Sequence, residues 1–488
     1  MDYLSARQIA NDIASGKLDS AAITAHYLAQ IERFNPQLNA FVDVYAERAT
    51  AAAAAHDRIR DRDPDQCGPL HGVPISIKEC FLLAGTGTTL NYPPLKQFKA
   101  EQTSLLVKRL LDAGAIILGK TNVPTLLSDA QTFGPIYPRC NNPHDLSRTP
   151  GGSTGGGAAA LAADMCALEL GSDIGGSIRN PSNFCGLFGL KPTENGHPLD
   201  GHVPPMPNSQ LGFSAMNSTG PLARTATDLK LAYEVLYQPD YQHRLYLPQA
   251  TQKAVPNTLQ EMHFGVLESL YGLQPGTEVQ AAMTQMKAGL EAAGAKVTPI
   301  QIDPQLTERL LLLWVKLFGF VMGQNLSWFI RKVFYMSFRQ ALSDSSLNAR
   351  KAFKTGLSLD FVEFSRCLAE RDEMIAEINQ LYAPFDAVLS PTSLGPAFEH
   401  NPKHGKILLD GEQVPYVDYC FLFVALYNLT GQPVLSVPTG PQQSGLPIGL
   451  SFATEHHNEA LLLKLGELLE QQGLAQTLST LPAGLSQS

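Results

Sequence analysis

The feature that most constrains the fold is a repeated texture: short apolar runs closed by Gly, Pro, Asn or Asp, separated by stretches of helical period. From Gly68 come GVPISIK, AGAIILGKTN, CALELGSD and CGLFGLKPT; later come HFGVLES, KVTPIQI, DAVLSPTS, PVLSVPTG and PIGLSFAT. Each run has strand length and strand residues, whereas AAMTQMKAGLEAAG between them has helical character. Alternation of this kind predicts an α/β body, a mixed β-sheet core surrounded by helices. The first 67 residues read as helical: Ser20 caps AAITAHYLAQIERF, which stops before Pro36, and an alanine run follows at 49–55. The stretch 304–384 is helical by composition and holds both tryptophans, Trp314 and Trp328. It reads as a helical insertion on the sheet core. The expected organisation is one domain, 1–488, with the first part of the core at 68–240 and the rest of the core at 385–488.

Charge and cysteine content narrow the function. A net charge of −9 argues against nucleic acid as a partner, because phosphate binding needs clustered Lys and Arg. Seven scattered cysteines with no CxxC pair fit neither a disulfide framework nor a zinc site, and point to a reducing cytoplasm. The N-terminus has no basic start followed by an apolar core, and no apolar run reaches the length of a membrane span.

The chemistry concentrates in GGSTGGGAAALAADMCALELGSDIGGSIRNP, where Ser153 and Ser177 each follow two glycines. Gly151–Gly155 matches the G-x-S-x-G pattern of a nucleophile elbow, which would pair Ser153 with a histidine, but the polar loop CNNPHDLSRTP precedes it instead of a strand. A phosphate cradle lacks its lysine. Gly175-Gly176-Ser177 follows a strand, and such a turn can aim successive N–H groups at one point, the geometry of an oxyanion hole. A serine needs a base. No histidine, including His71, stands in a diagnostic position. In GVPISIK, alternation puts Val73, Ile75 and Ile77 on one side and Ser76 and Lys78 on the other. An unperturbed lysine is neutral in roughly one molecule of a few thousand at pH 7, so burial must lower its proton affinity before it can serve.

Taken in order and spacing, GVPISIK, PGGSTGGGAAALAA and GSDIGGSIRNPSNFCGLFGLKPT resemble the amidase signature family. Similarity extends to GKTNVP, NPHDLSRTPGGS, STGPLARTATDL, DAVLSPTS and YNLTGQPVLSVPTG. The resemblance implies a Ser–cis-Ser–Lys triad: Ser177 as nucleophile, Ser153 as the bridging serine after a cis peptide bond, and Lys78 as base. It implies an oxyanion hole from the N–H groups of Ile174, Gly175, Gly176 and Ser177, and no metal or organic cofactor. Asp173 and Arg179 bracket the nucleophile loop and are expected to pair across it. Three positions depart from the family's pattern: Thr154 and Gly157 stand where serine is frequent, and Asn180 where many relatives have an apolar residue or glutamine.

The expected activity is hydrolysis of a small-molecule carboxylic amide with an apolar acyl or aryl part, with esterase side activity. The alternatives are an amidotransferase subunit of the glutamyl-tRNA type and a non-catalytic scaffold. Apolar residues such as Leu310, Trp314, Leu317 and Phe318 in the helical segment suit core packing, a lid over an acyl chain, a membrane contact or a homodimer contact.

Overall fold

The computed structural model describes residues 3–204, 215–238, 254–324, 326–476 and 485. Its strands, in chain order, are β1 (Phe41–Val44), β2 (Pro74–Lys78), β3 (Ile116–Thr121), β4 (Glu169–Asp173), β5 (Phe188–Lys191) and β6 (Ser218–Ala223). Next come β7 (His263–Val266), β8 (Lys296–Pro299), β9 (Ala387–Pro391), β10 (Ile407–Leu409), β11 (Glu412–Val414), β12 (Val434–Pro441) and β13 (Pro447–Ala453). Eleven of them form one sheet, in the order β1-β3-β2-β4-β6-β5-β12-β13-β9-β7-β8, while β10 and β11 make a separate hairpin. The pairs β2–β3, β2–β4, β7–β8 and β7–β9 are parallel and the others antiparallel. The sheet is therefore mixed, as the alternating texture predicts.

The helices are α1 (Ala6–Ala14), α2 (Ser20–Leu38), α3 (Ala46–Arg62), α4 (Leu105–Asp112), α5 (Gly155–Ala162), α6 (Arg179–Cys185) and α7 (Ala226–Leu236). They continue with α8 (Thr277–Ala292), α9 (Pro304–Gly323), α10 (Trp328–Asp344), α11 (Arg350–Gly356), α12 (Phe361–Tyr382), α13 (Tyr416–Thr430) and α14 (Glu459–Gln471). Helix α2 does not stop before Pro36. It continues through Pro36 to Leu38, because Asn39 in the left-handed conformation returns its N–H to Asn35 O at 2.7 Å and closes the end. Strand β1, in the stretch expected to be helical, pairs antiparallel with β3.

Two apolar clusters build the interior. One joins α1–α5, α7, α8 and α14 to the sheet; the other joins α9–α13 and takes in Ile174 of the loop that carries Ser177. Helix α13 is buried on nearly every side, so it lies inside the molecule and not over its surface. The segment 304–384 is helical throughout its main length, and its far side leaves Trp328, Phe329 and Phe361 exposed. Among the described residues no helix is long and apolar enough to cross a membrane.

The inner side of α12 is fixed by a buried ion pair. Arg371 binds Glu194, which follows β5, with both carboxylate oxygens engaged, one of them at 3.2 Å, and its Nε donates to Leu429 O. Glu194 also accepts the Met216 N–H at 2.6 Å. Arg371→Ala would strand a buried carboxylate and is expected to cost about 3–5 kcal/mol. Chemical unfolding of the variants checks this, with Arg371→Ala/Glu194→Gln losing less than Arg371→Ala alone.

Candidate active site

Lys78 ends β2 and is fully buried. Its Nζ lies 2.7 Å from Ser153 Oγ, 3.0 Å from Ser172 Oγ and 3.2 Å from Ser172 O. Burial pushes the amine down to about 8, although Cys80, Asp173 and Glu169 pull the other way. At that value a useful fraction is neutral near physiological pH, and the 2.7 Å contact can then run in reverse, with the Ser153 hydroxyl donating to the amine.

Ser153 reaches this position through a cis Gly152–Ser153 peptide bond. The bend needs glycine at 152, since a Cβ there would sit 2.5 Å from both Asp129 O and Gln131 O. The next residue, Thr154, donates its N–H to Ser177 O at 3.2 Å, so the two serine loops are joined directly. Ser153 is in a loop that opens α5, not in a strand-to-helix elbow, and among the described residues no histidine is hydrogen-bonded to either serine. His71 instead contacts His56 O at 3.0 Å, away from the site.

The Ser177 loop is held by an ion pair with no solvent exposure. Arg179 grips Asp173 through two parallel contacts, Nε to Oδ2 at 3.0 Å and Nη2 to Oδ1 at 2.9 Å. Asn428 of α13 donates to Asp173 Oδ1 at 2.9 Å and accepts from Arg179 Nη2 at 2.6 Å, while Arg179 Nη1 donates to Val424 O. Burial alone would raise Asp173, but the guanidinium outweighs it and holds the carboxyl well below the usual range. The same carboxylate accepts the N–H groups of Gly176 at 2.8 Å and Ile178 at 3.0 Å. This corrects one expectation: the Gly176 N–H is committed to Asp173 and is not free for an oxyanion. The N–H groups of Ile174, Gly175 and Ser177 make no such bond among the described residues.

Two participants were not visible in the sequence reading. Ser172 supplies two of Lys78's three acceptors, and Asn428 completes the Asp173–Arg179 frame. A third feature is an aromatic wall. Trp314 of α9 donates to Ile174 O at 3.3 Å, and its ring would lie 2.9 Å from a Cβ at Gly175. Phe318 stacks on Trp314 at 5.2 Å, and Phe421 of α13 lies 5.7 Å from it.

An amidase family model matches residues 22–463. The chain belongs to the amidase signature family. Among its relatives, the A subunit of the glutamyl-tRNA(Gln) amidotransferase of Synechococcus sp. (strain CC9605) is 30% identical over 485 residues, covering 94% of each chain. A solved structure from work on a vestigial protein complex and the origins of an s-triazine catabolic enzyme is 28% identical, with a TM-score of 0.80 over 97% of this chain and 100% of that one. A bacterial aryl acylamidase, 22% identical, shares the fold with a TM-score of 0.78 over 96% of each chain.

With Lys78 in the role of base that the family resemblance implies, the serine would gain rate as this amine loses its proton. Acylation by an activated aryl ester is therefore expected to climb about tenfold per pH unit in acid and to level off above about pH 8. A log(rate)–pH profile that is flat across that range would remove Lys78 from the role of base.

Proposed function

We propose that the chain hydrolyses carboxylic amides bearing an apolar acyl or aryl group, releasing the acid and ammonia or an amine. The carrying observation is the wall of Trp314, Phe318 and Phe421 set against the loop that presents Ser177. In this reading neutral Lys78 takes the Ser153 proton as Ser153 takes that of Ser177. The Ser177 Oγ adds to the carbonyl carbon, and the carbonyl π pair moves to oxygen, where the N–H groups of Ile174, Gly175 and Ser177 receive it. Collapse re-forms the carbonyl and expels the C–N bonding pair on nitrogen, which takes the proton back through Ser153. Water then repeats the sequence on the acyl-enzyme, and the acid leaves. Esters have the easier leaving group and follow the same route. The seven free cysteines support a reducing compartment as the place of action.

A second reading, membership of an amidotransferase complex, has the support of the 30% identity with the glutamyl-tRNA(Gln) amidotransferase chain. Glutamine carries a carboxylate on its α-carbon, and an aromatic wall offers that group no partner. This consideration favours the hydrolase.

The test is release of ammonia or amine from primary amides of graded chain length, with benzamide and glutamine alongside. Release should climb with chain length and vanish in Ser177→Ala. Phe421→Ala should raise the KM for benzamide about tenfold and leave acetamide nearly unchanged. Activity on glutamine alone, and only with copurifying partners, would favour the second reading.

A further inference from the structure

One buried carboxylate has no part in that reaction. Glu169 opens β4, is 1% exposed, and lies opposite Ser76 of β2. Ser76 Oγ donates to its Oε2 at 2.5 Å, and Thr121 Oγ1 to its Oε1 at 2.7 Å. Thr121 is the residue that faces Lys78 across β2 and β3, and Ser76 shares one face of β2 with Lys78. The carboxylate therefore cross-links three strands on the face from which Lys78 projects. Helix α5, which follows the Ser153 loop, closes over it: a Cβ at Gly157 would stand 2.3 Å from the Glu169 carboxyl. Glycine at 157, where serine is the frequent residue, is what makes room for Glu169.

The charged and titratable neighbours leave Glu169 a distinct part. Lys78 is faced by Cys80 beyond its own strand, by Asp173 and Glu169 of β4, and by His202. Burial lifts the Cys80 thiol to about 12 and drops the His202 imidazole to about 3, so neither is charged near neutrality. Asp173 is neutralised by Arg179. Glu169 itself is faced by Lys78 and by the Cys166 thiol, which burial raises. Burial pushes Glu169 up to about 7, while the Ser76 and Thr121 bonds and the Lys78 charge draw it back. Both of its hydrogen bonds come from hydroxyls; among the described residues no Lys or Arg is bonded to it.

From this arrangement we infer that Glu169 is a positioning residue for the base, its carboxylate stabilising the ammonium that Lys78 becomes each time it takes the Ser153 proton. The inference rests on Lys78 as base. Its sign is fixed: a negative neighbour favours the charged amine, so removing it lets Lys78 deprotonate at lower pH and makes it the weaker base.

The test uses the full chain and a fluorophosphonate, which labels an activated serine whatever the natural substrate. Labelling of Ser177 is followed by mass spectrometry against pH for the wild type, Glu169→Gln, Lys78→Ala and the exchange Gly157→Ser/Glu169→Ala. The exchange refills the space left by the shorter side chain and carries the test if Glu169→Gln folds poorly. Above about pH 7, where the Glu169 carboxylate is charged, the Glu169 variants should level off about one pH unit earlier than the wild type and at a plateau up to about tenfold lower, while in acid, where Glu169 is protonated, the profiles should merge. A purely structural Glu169 would scale the whole profile without moving the pH at which it levels off, and that result in a folded variant overturns the inference. Failure of the base assignment looks different: Lys78→Ala would label like the wild type, and the inference would fall with it.

Discussion

The site depends first on one ion pair that water never reaches. Placing Asp173 and Arg179 at zero exposure costs several kcal/mol per charge unless every donor and acceptor is used, and here they nearly all are. The carboxylate holds two loop N–H groups, the guanidinium and an amide from α13; the guanidinium reaches α13 at two points. What results is a rigid post around which Ser177 turns. With Gly176 and Ile178 tied down, the Ile174, Gly175 and Ser177 N–H groups are the ones left without such a bond among the described residues.

A second level of order comes from how the two serine loops share a backbone. The Thr154 N–H to Ser177 O bond fixes one loop to the other, and Lys78 is fixed to the first through Ser153 and to β4 through Ser172. Each member of the cluster is thus placed by at least one bond to an element other than its own. Preorganisation of this sort spares a reaction the cost of arranging its groups at the moment they act.

Much of this was legible in the residues. Apolar runs with turn residues at their ends marked nine strands, and the resemblance of their motifs to the amidase signature family marked Lys78, Ser153 and Ser177. The missed strand β6, STGPLA, contains Pro221, which argues for a turn or a sheet edge, yet β6 lies between β4 and β5 with Pro221 opposite Leu170. The fate of the Gly176 N–H could not be read either, because it depends on where the Asp173 carboxylate points after Arg179 has taken hold of it. Ser172 and Asn428 carry no periodicity of their own; only the folded register brings them to Lys78 and Asp173. Pro36 misled for the opposite reason, since a left-handed Asn39 beyond it could still finish the helix.

The partners of Arg179 have a consequence for how the chain comes into being. Val424 and Asn428 lie 245 and 249 residues downstream of it. At about 5–20 residues per second of synthesis, the nucleophile loop waits about 12–50 s for the helix that completes its frame. Until then the guanidinium has only the carboxylate and solvent, and the loop is held by its own Asp173 alone. A growing or truncated chain that ends before α13 therefore carries Lys78, Ser153 and Ser177 without the complete frame, which closes only once the stretch from Tyr416 onward has been made.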